Sequence, residues 1–353
     1  MRRVVAVGNK QANHRDSITV PAKVCFVGLG IHGLGQVKRI LNNPQMWSPV
    51  GVVDSSVAAY ARFQYWCHQS QVPYFRSVTE AIRNMDAGTF VVATTAPSHV
   101  AIVKEIISTS AAKFVLVEKP ISTNLGEARQ LRAMLNSNNW PGTVGVDFNR
   151  RCSGLYAHAR EIIHSGELGG LVRIVYSRPC KVSMKGAHYI DMANWIIDST
   201  AMKVTANLDD NSTIDHRGSV FFDPEGHIDV AYENGASFTF DGRGTSTEFD
   251  HGMHIICERG SIFLDVAESF GAIDGPSGHR RIASDKEGDA YNWFESTLEA
   301  LVFGSNHYSA ATVDESIDCL EITVAAHLSD QLKGEPISLP LDREFDAISL
   351  RIA

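Results

Sequence analysis

The stretch MKGAHYIDMANWI, Met184 to Ile196, carries His188 and Asp191 three residues apart. On a helix that spacing puts both side chains on one face. Imidazole has the proton affinity that acid–base work near neutral pH needs. The pair therefore suits either a proton-transfer site or a polar patch on an ordinary helix. Met184, four residues ahead of the histidine, is apolar and offers only soft contact. What this group can do depends on what the rest of the chain brings to it.

The chain has 353 residues, enough for two domains and a large core. Hydrophobic residues make up 44% and charged residues 20%, which is a globular composition. The net charge is −8. With no Lys/Arg cluster, that balance argues against nucleic acid and anionic lipid as partners. No apolar run approaches a membrane span. Cys25, Cys67, Cys152, Cys180, Cys257 and Cys319 are scattered, with no CxxC pair. Reduced thiols in a cytoplasm fit them better than a disulfide framework or a zinc site, so no metal is expected. Residues 1–21 start basic but turn polar too soon for a secretory signal. They are expected to form an extension ahead of the first domain.

The first domain is expected over residues 22–148. Ala22–Val27 is a short apolar strand, followed by GLGIHG and a helix with Leu34, Val37, Ile40 and Leu41 on one face. A second strand, Val50–Val53, ends at Asp54. A GxGxxG between strand and helix, with an acidic residue closing the next strand, points to a dinucleotide. Gly28 permits the tight turn, Gly30 lets a pyrophosphate approach the backbone, and Gly33 lets the helix pack close. Ile31 and His32 lie within that turn, and His32 is expected to meet the cofactor through its backbone. The helix N-terminus offers free N–H groups and a positive dipole end. Asp54 can accept from a ribose 2′-OH and would repel a 2′-phosphate, which favours NAD over NADP.

More strands follow at Phe90–Ala93, Lys113–Val117 and Thr143–Val146, alternating with helices from about Val100 and over Asn124–Leu135. That alternation predicts a doubly wound parallel sheet, an α/β Rossmann domain. Such sheets bind ligands at the carboxyl ends of their strands. Gly28–Gly33, Asp54, Thr94-Thr95 through His99, and Glu118-Lys119-Pro120 all fall at that edge.

The pattern changes over residues 149–353. A helix is expected over Gly154–His164 and a strand over Leu171–Arg178. His227–Tyr232 and Ala236–Phe240 alternate around Asn234-Gly235, the signal of a two-residue hairpin. A second hairpin turns near Arg259-Gly260. Helices cover about Ala290–Leu301 and the stretch from Thr312, where Thr312 and Glu315 suit a capping box. This reads as an α+β domain on a large, mostly antiparallel sheet. One face left over suits a homodimer or homotetramer through that sheet.

Taken together, GLGIHG, Thr94…His99, VEKPIS at Val117–Ser122, FNRR at Phe148–Arg151, SGELG at Ser165–Gly169 and GAHYID at Gly186–Asp191 resemble the Gfo/Idh/MocA family of oxidoreductases. The resemblance implies a cleft between a nucleotide domain and a sheet domain. It implies NAD(P)-dependent oxidation or reduction at a carbinol or carbonyl carbon of a sugar, cyclitol or sugar-derived substrate. Lys119 would lie near the nicotinamide and the reacting oxygen, with His188 facing it. A half-buried lysine there could lose proton affinity and act as base, or polarise the carbonyl in reverse. Arg150 would bind substrate or form a structural ion pair. Asp191 would orient His188 or the helix start. In many family dehydrogenases an aspartate stands where this chain has Met184, so the full constellation is missing. Lys185 is the neighbour that could alter the site, although helical geometry would point it elsewhere. Three readings stay open: a working oxidoreductase on a substrate less like a simple polyol, an ordinary sugar dehydrogenase that tolerates the change at Met184, or an NAD-binding sensor or partner protein with impaired catalysis.

Overall fold

A computed structural model of the chain describes residues 4–6, 20–68, 70–137, 140–209, 221–265, 270–283, 290–305 and 308–352. Most of the extension expected at residues 1–21 lies outside the described residues. Within it, Val4–Ala6 forms a strand, β1.

The first domain runs β2 (Ala22–Val27), α1 (Ile31–Leu41), β3 (Trp47–Val53), α2 (Val57–Trp66), β4 (Tyr74–Phe75), α3 (Val78–Asn84), β5 (Thr89–Val92), α4 (Ala96–Thr109), β6 (Phe114–Val117), α5 (Leu125–Ser137) and β7 (Thr143–Val146). Its six strands pair in parallel, in the order β4-β3-β2-β5-β6-β7. Strand order reverses between β2 and β5, which opens a crevice at their carboxyl ends. Val24–Val27 and Thr89–Val92 are buried throughout, as strands covered on both faces must be. Helix α4 starts at Ala96, earlier than the apolar pattern marks. Pro97 sits in its first turn, where a missing N–H costs nothing because that N–H has no partner inside the helix.

The second domain holds α6 (Gly154–His164), β8 (Leu171–Ser177), α7 (Ala187–Ile197), β9 (Ala201–Leu208), β10 (Gly226–Tyr232), β11 (Ser237–Asp241), β12 (Gly252–Cys257), β13 (Gly260–Asp265), β14 (Phe270–Gly275), β15 (Gly278–Ala283), α8 (Ala290–Phe303), α9 (Val313–Gln331) and β16 (Ile337–Ser338). Nine of these strands and β1 form a ten-stranded sheet, β1-β15-β14-β13-β12-β8-β11-β10-β9-β16. Pairing is antiparallel except for β1 with β15 and β8 with β11. The Asn234-Gly235 turn is one residue longer than its dipeptide signals: Tyr232 N–H reaches Ala236 O at 3.0 Å, and Gly235 takes φ +85°. Thr312 and Glu315 close the capping box on α9.

Two late segments return to the first domain. Helix α8 sends Phe294 and Leu298 into the cluster built by Val24, Phe26, Val37 and Ile40. Its buried Glu295 accepts from Asn43 at 2.8 Å and from the Trp47 indole at 3.1 Å. The stretch 348–351 spans both lobes. Leu350 N–H donates to Thr123 O at 2.9 Å, and the Asn124 amide donates to Ile348 O at 3.3 Å. On the other side, Phe222 N–H donates to Arg351 O at 2.7 Å.

Candidate active site

The glycine turn has the shape a dinucleotide requires. Gly28 stands at φ +100°, and a Cβ there would come within 2.6 Å of the Ala93 backbone. A Cβ on Gly33 would run into the Gly28 carbonyl. A Cβ on Gly30 would meet nothing within 4 Å, so of the three glycines this is the one whose outer side is open to a ligand. Helix α1 begins here without a side-chain cap, and Ile31 is 84% exposed. Its free amides and dipole end thus face open space. Asp54 accepts from Leu29 N–H and from Ser56 N–H, both at 2.8 Å. The carboxylate ties the glycine turn to the end of β3. The residues present fit the cofactor that the motif implies.

Thr94 and Thr95 lead into α4. The His99 ring is buried behind them, its nitrogens 2.8 Å from Pro120 O and 3.0 Å from Thr94 O. It links the end of β5 to the Lys119-Pro120 bend. Burial lowers its proton affinity against the pull of those two carbonyls.

Glu118 and Asp147 follow register partners Val117 and Val146 on β6 and β7. Gln36 donates to Glu118 at 2.7 Å. Asp147 is 1% exposed, and its carboxyl lies beside the Thr297 hydroxyl and the Glu118 carboxyl. Burial, then the Glu118 carboxylate, hold Asp147 well above the usual carboxyl range. Asp147 carries no sequence signal beyond its place at a strand end.

The Lys119 amine crosses to the second domain and donates to the Met184 carbonyl. Burial pushes its proton affinity down, while Glu118 pulls it up. Met184 lies in a π turn, Val182–Gly186, closed by Gly186 N–H on Lys181 O at 2.9 Å. The α-helical spacing of α7 therefore does not run back from His188 to Met184. Lys185 is exposed on the outer side of this turn.

His188 opens α7 and is 8% exposed. Its Nδ1 has no hydrogen-bond partner among the described residues, and its ring meets Phe148 edge-on at 5.9 Å. Burial holds it well below 6.5, and nearby Arg150, Lys119 and His32 push the same way. Arg150 stacks over the Tyr189 ring at 5.0 Å. Lys119, His188, Arg150 and His32, read from four separate stretches of sequence, thus converge. Asp191 goes elsewhere: both its oxygens accept from Arg151, at 2.9 and 2.6 Å, and Arg151 also holds Glu315 at 2.7 Å.

A separate cleft of about 780 Å³ opens by the far end of α7, lined by Arg151, Arg160, Trp195, Tyr308 and Asp318 among others. Neither Lys119 nor His188 reaches it. Among the described residues no cluster could hold a metal ion, and no helix is long and apolar enough to cross a membrane.

Residues 22–146 match the Gfo/Idh/MocA family model, described as an oxidoreductase family with an NAD-binding Rossmann fold. An uncharacterized oxidoreductase of Bacillus subtilis, YrbE, is 24% identical over 265 residues, covering 68% of this chain and 72% of that protein. Among solved structures, the WlbA dehydrogenase of Bordetella pertussis, in complex with NADH and UDP-GlcNAcA, superposes with a TM-score of 0.70 at 16% identity. That likeness covers 91% of this chain and all of the other. The transcriptional regulator Gal80p of Kluyveromyces lactis superposes with a TM-score of 0.73 at 17% identity, over 94% of this chain and 95% of the other. At these identities the structural likenesses carry the fold alone.

Proposed function

We propose that the chain is an NAD-dependent oxidoreductase of the Gfo/Idh/MocA type whose acid–base groups are Lys119 and His188, acting on a carbinol or carbonyl carbon of a sugar-related substrate. NAD, when bound, supplies the acceptor or donor of the hydride. The Lys119 amine comes from the first lobe and the His188 ring from the second, and each lies within electrostatic reach of the other; this nearness supports the reading.

Hydride loss from an alcohol carbon requires loss of the hydroxyl proton. A neutral amine or imidazole within hydrogen-bond reach of that oxygen can take it. Burial favours the neutral form of both groups. In reverse, the protonated amine polarises the carbonyl and returns the proton. Arg150 suits a carboxylate or hydroxyl of the substrate, and Met184 supplies apolar contact. A sugar acid, an amino or nucleotide sugar, or a keto or imine compound is the substrate class that this lining supports. A second copy of the chain docking on the sheet belongs to the same proposal, since Lys203, Asn207, Asp229 and Ala231 are exposed strand positions.

The test is the near-ultraviolet absorbance of the nicotinamide, followed across a panel of sugars, cyclitols, sugar acids and nucleotide sugars. Turnover that vanishes in Lys119→Ala supports the proposal. Tight NAD binding with no turnover on any carbinol or carbonyl compound would favour a sensor instead.

A further inference from the structure

We infer that Asp223 is a positioning residue for the Lys119 amine: it fixes the backbone of Met184, whose carbonyl holds that amine, and sets a negative charge behind it. The inference rests on the reading of Lys119 as an acid–base group.

Asp223 lies ahead of β10 and is 3% exposed. The first N–H groups of a helical turn have no partner inside the turn. The π turn before α7 has no side-chain cap of its own. Instead one dipeptide from another part of the chain takes three of its N–H groups in succession. Val182 N–H donates to Pro224 O at 2.9 Å, Ser183 N–H to Asp223 Oδ1 at 2.8 Å, and Met184 N–H to Asp223 Oδ2 at 2.7 Å. Met184 thus hands its N–H to the carboxylate and its C=O to Lys119. The dipeptide is itself braced: the Arg351 guanidinium lies over the Phe222 ring at 5.1 Å, beside the Phe222 to Arg351 backbone bond.

Burial raises the proton affinity of Asp223 above that of an ordinary carboxyl, and the Ser183 and Met184 amides and the nearby Lys119 pull it back towards the carboxylate. The carboxylate and the Lys119 amine then sit on either side of one residue's backbone. Other groups also face the amine: Glu118 beside it, Asp147 at the end of β7, His99 on α4, Arg150 after β7, His188 on α7 and Cys319 on α9. Burial and Arg150 favour the neutral amine; Glu118 and Asp223 favour the ammonium. Asp223 keeps this balance close enough for the group both to take and to return a proton.

The test is a titration of the Lys119 side-chain carbon resonance in lysine-labelled protein, the signal being identified by its loss in Lys119→Met. In Asp223→Asn the midpoint is expected to fall by about one pH unit. NADH fluorescence titration and thermal melting confirm that the variant is folded. An unchanged midpoint in folded Asp223→Asn overturns the inference. Should that variant not fold, Asp223→Ser makes the same neutral comparison. Failure of both to fold makes Asp223 a cap for the turn alone, and also overturns it. Absence of turnover on every substrate would sink the oxidoreductase proposal without moving this midpoint, so the two failures are told apart.

Discussion

Both carboxylate oxygens of Asp191 are held by the Arg151 guanidinium, and neither residue is more than 1% exposed. The aspartate that shares a helix with His188 is thus part of an ion pair in the protein interior. Burial raises its proton affinity and the guanidinium lowers it. Removing one partner of such a pair leaves the other charged and unsolvated. Asp191→Ala should therefore lose roughly 3–5 kcal/mol of stability, read by denaturant unfolding. A loss of only a few tenths of that would show that the pair does not hold α7 in place.

Lys119→Ala removes the amine but no part of the glycine turn. Turnover should fall by about 100- to 10,000-fold, the range of a general acid–base group. The NAD dissociation constant should stay within a few-fold of the parent by fluorescence titration. Activity near the parent level would eliminate Lys119 from the chemistry.

Asp54 holds the Leu29 amide of the glycine turn and the Ser56 amide that follows β3, and has lone pairs left for a ribose. Asp54→Ala should weaken NAD by about tenfold to hundredfold, the cost of losing charged hydrogen bonds. NADP should lose less, because its phosphate is repelled by the same carboxylate. An equal or larger loss for NADP would sink the assignment of cofactor preference to this residue.

Asp147 makes a signed prediction about pH. Its carboxyl is held well above the ordinary 3.8 by burial and by Glu118. A raised group adds stability that is fully present below the unfolded pKa and is lost as pH rises through the folded one. Asn mimics the protonated acid and has no proton to lose. The melting temperature of Asp147→Asn relative to the parent should therefore climb across the window that opens at about pH 4 and extends upward. A constant difference across that window would mean that Asp147 is ionised in the fold like any surface carboxylate.

The parallel sheet and its ligand edge were legible because their determinants are local. GLGIHG must turn, Val24–Val27 must be buried, and Asp54 must follow the next strand. Helix α6 and the Thr312 cap were legible for the same reason. The partners of the polar residues were not. The spacing of His188 and Asp191 leaves both a working pair and a supporting role for the aspartate open, and it is Arg151, forty positions away, that takes the aspartate. The π turn had no signal, because the Asp223-Pro224 dipeptide that caps it is remote in sequence and reads only as a turn. Strands β14 and β15 carry little readable pattern because their buried positions are few: Ile273 and Ile282 are their only fully enclosed apolar side chains. Helix α8 was found, but its place against α1 was not, since nothing in AYNWFESTLEALVF states which sheet it covers.

The stretch 348–351 joins the floor below Lys119 to the wall that carries Asp223. Near it, Arg129 of α5 grips Asp346 and Glu321. These bonds act as a suture across the base of the crevice. Wide jaw-like opening would first have to undo them. The geometry at the amine is then preset in the resting protein, and shortening this stretch would loosen both walls at once.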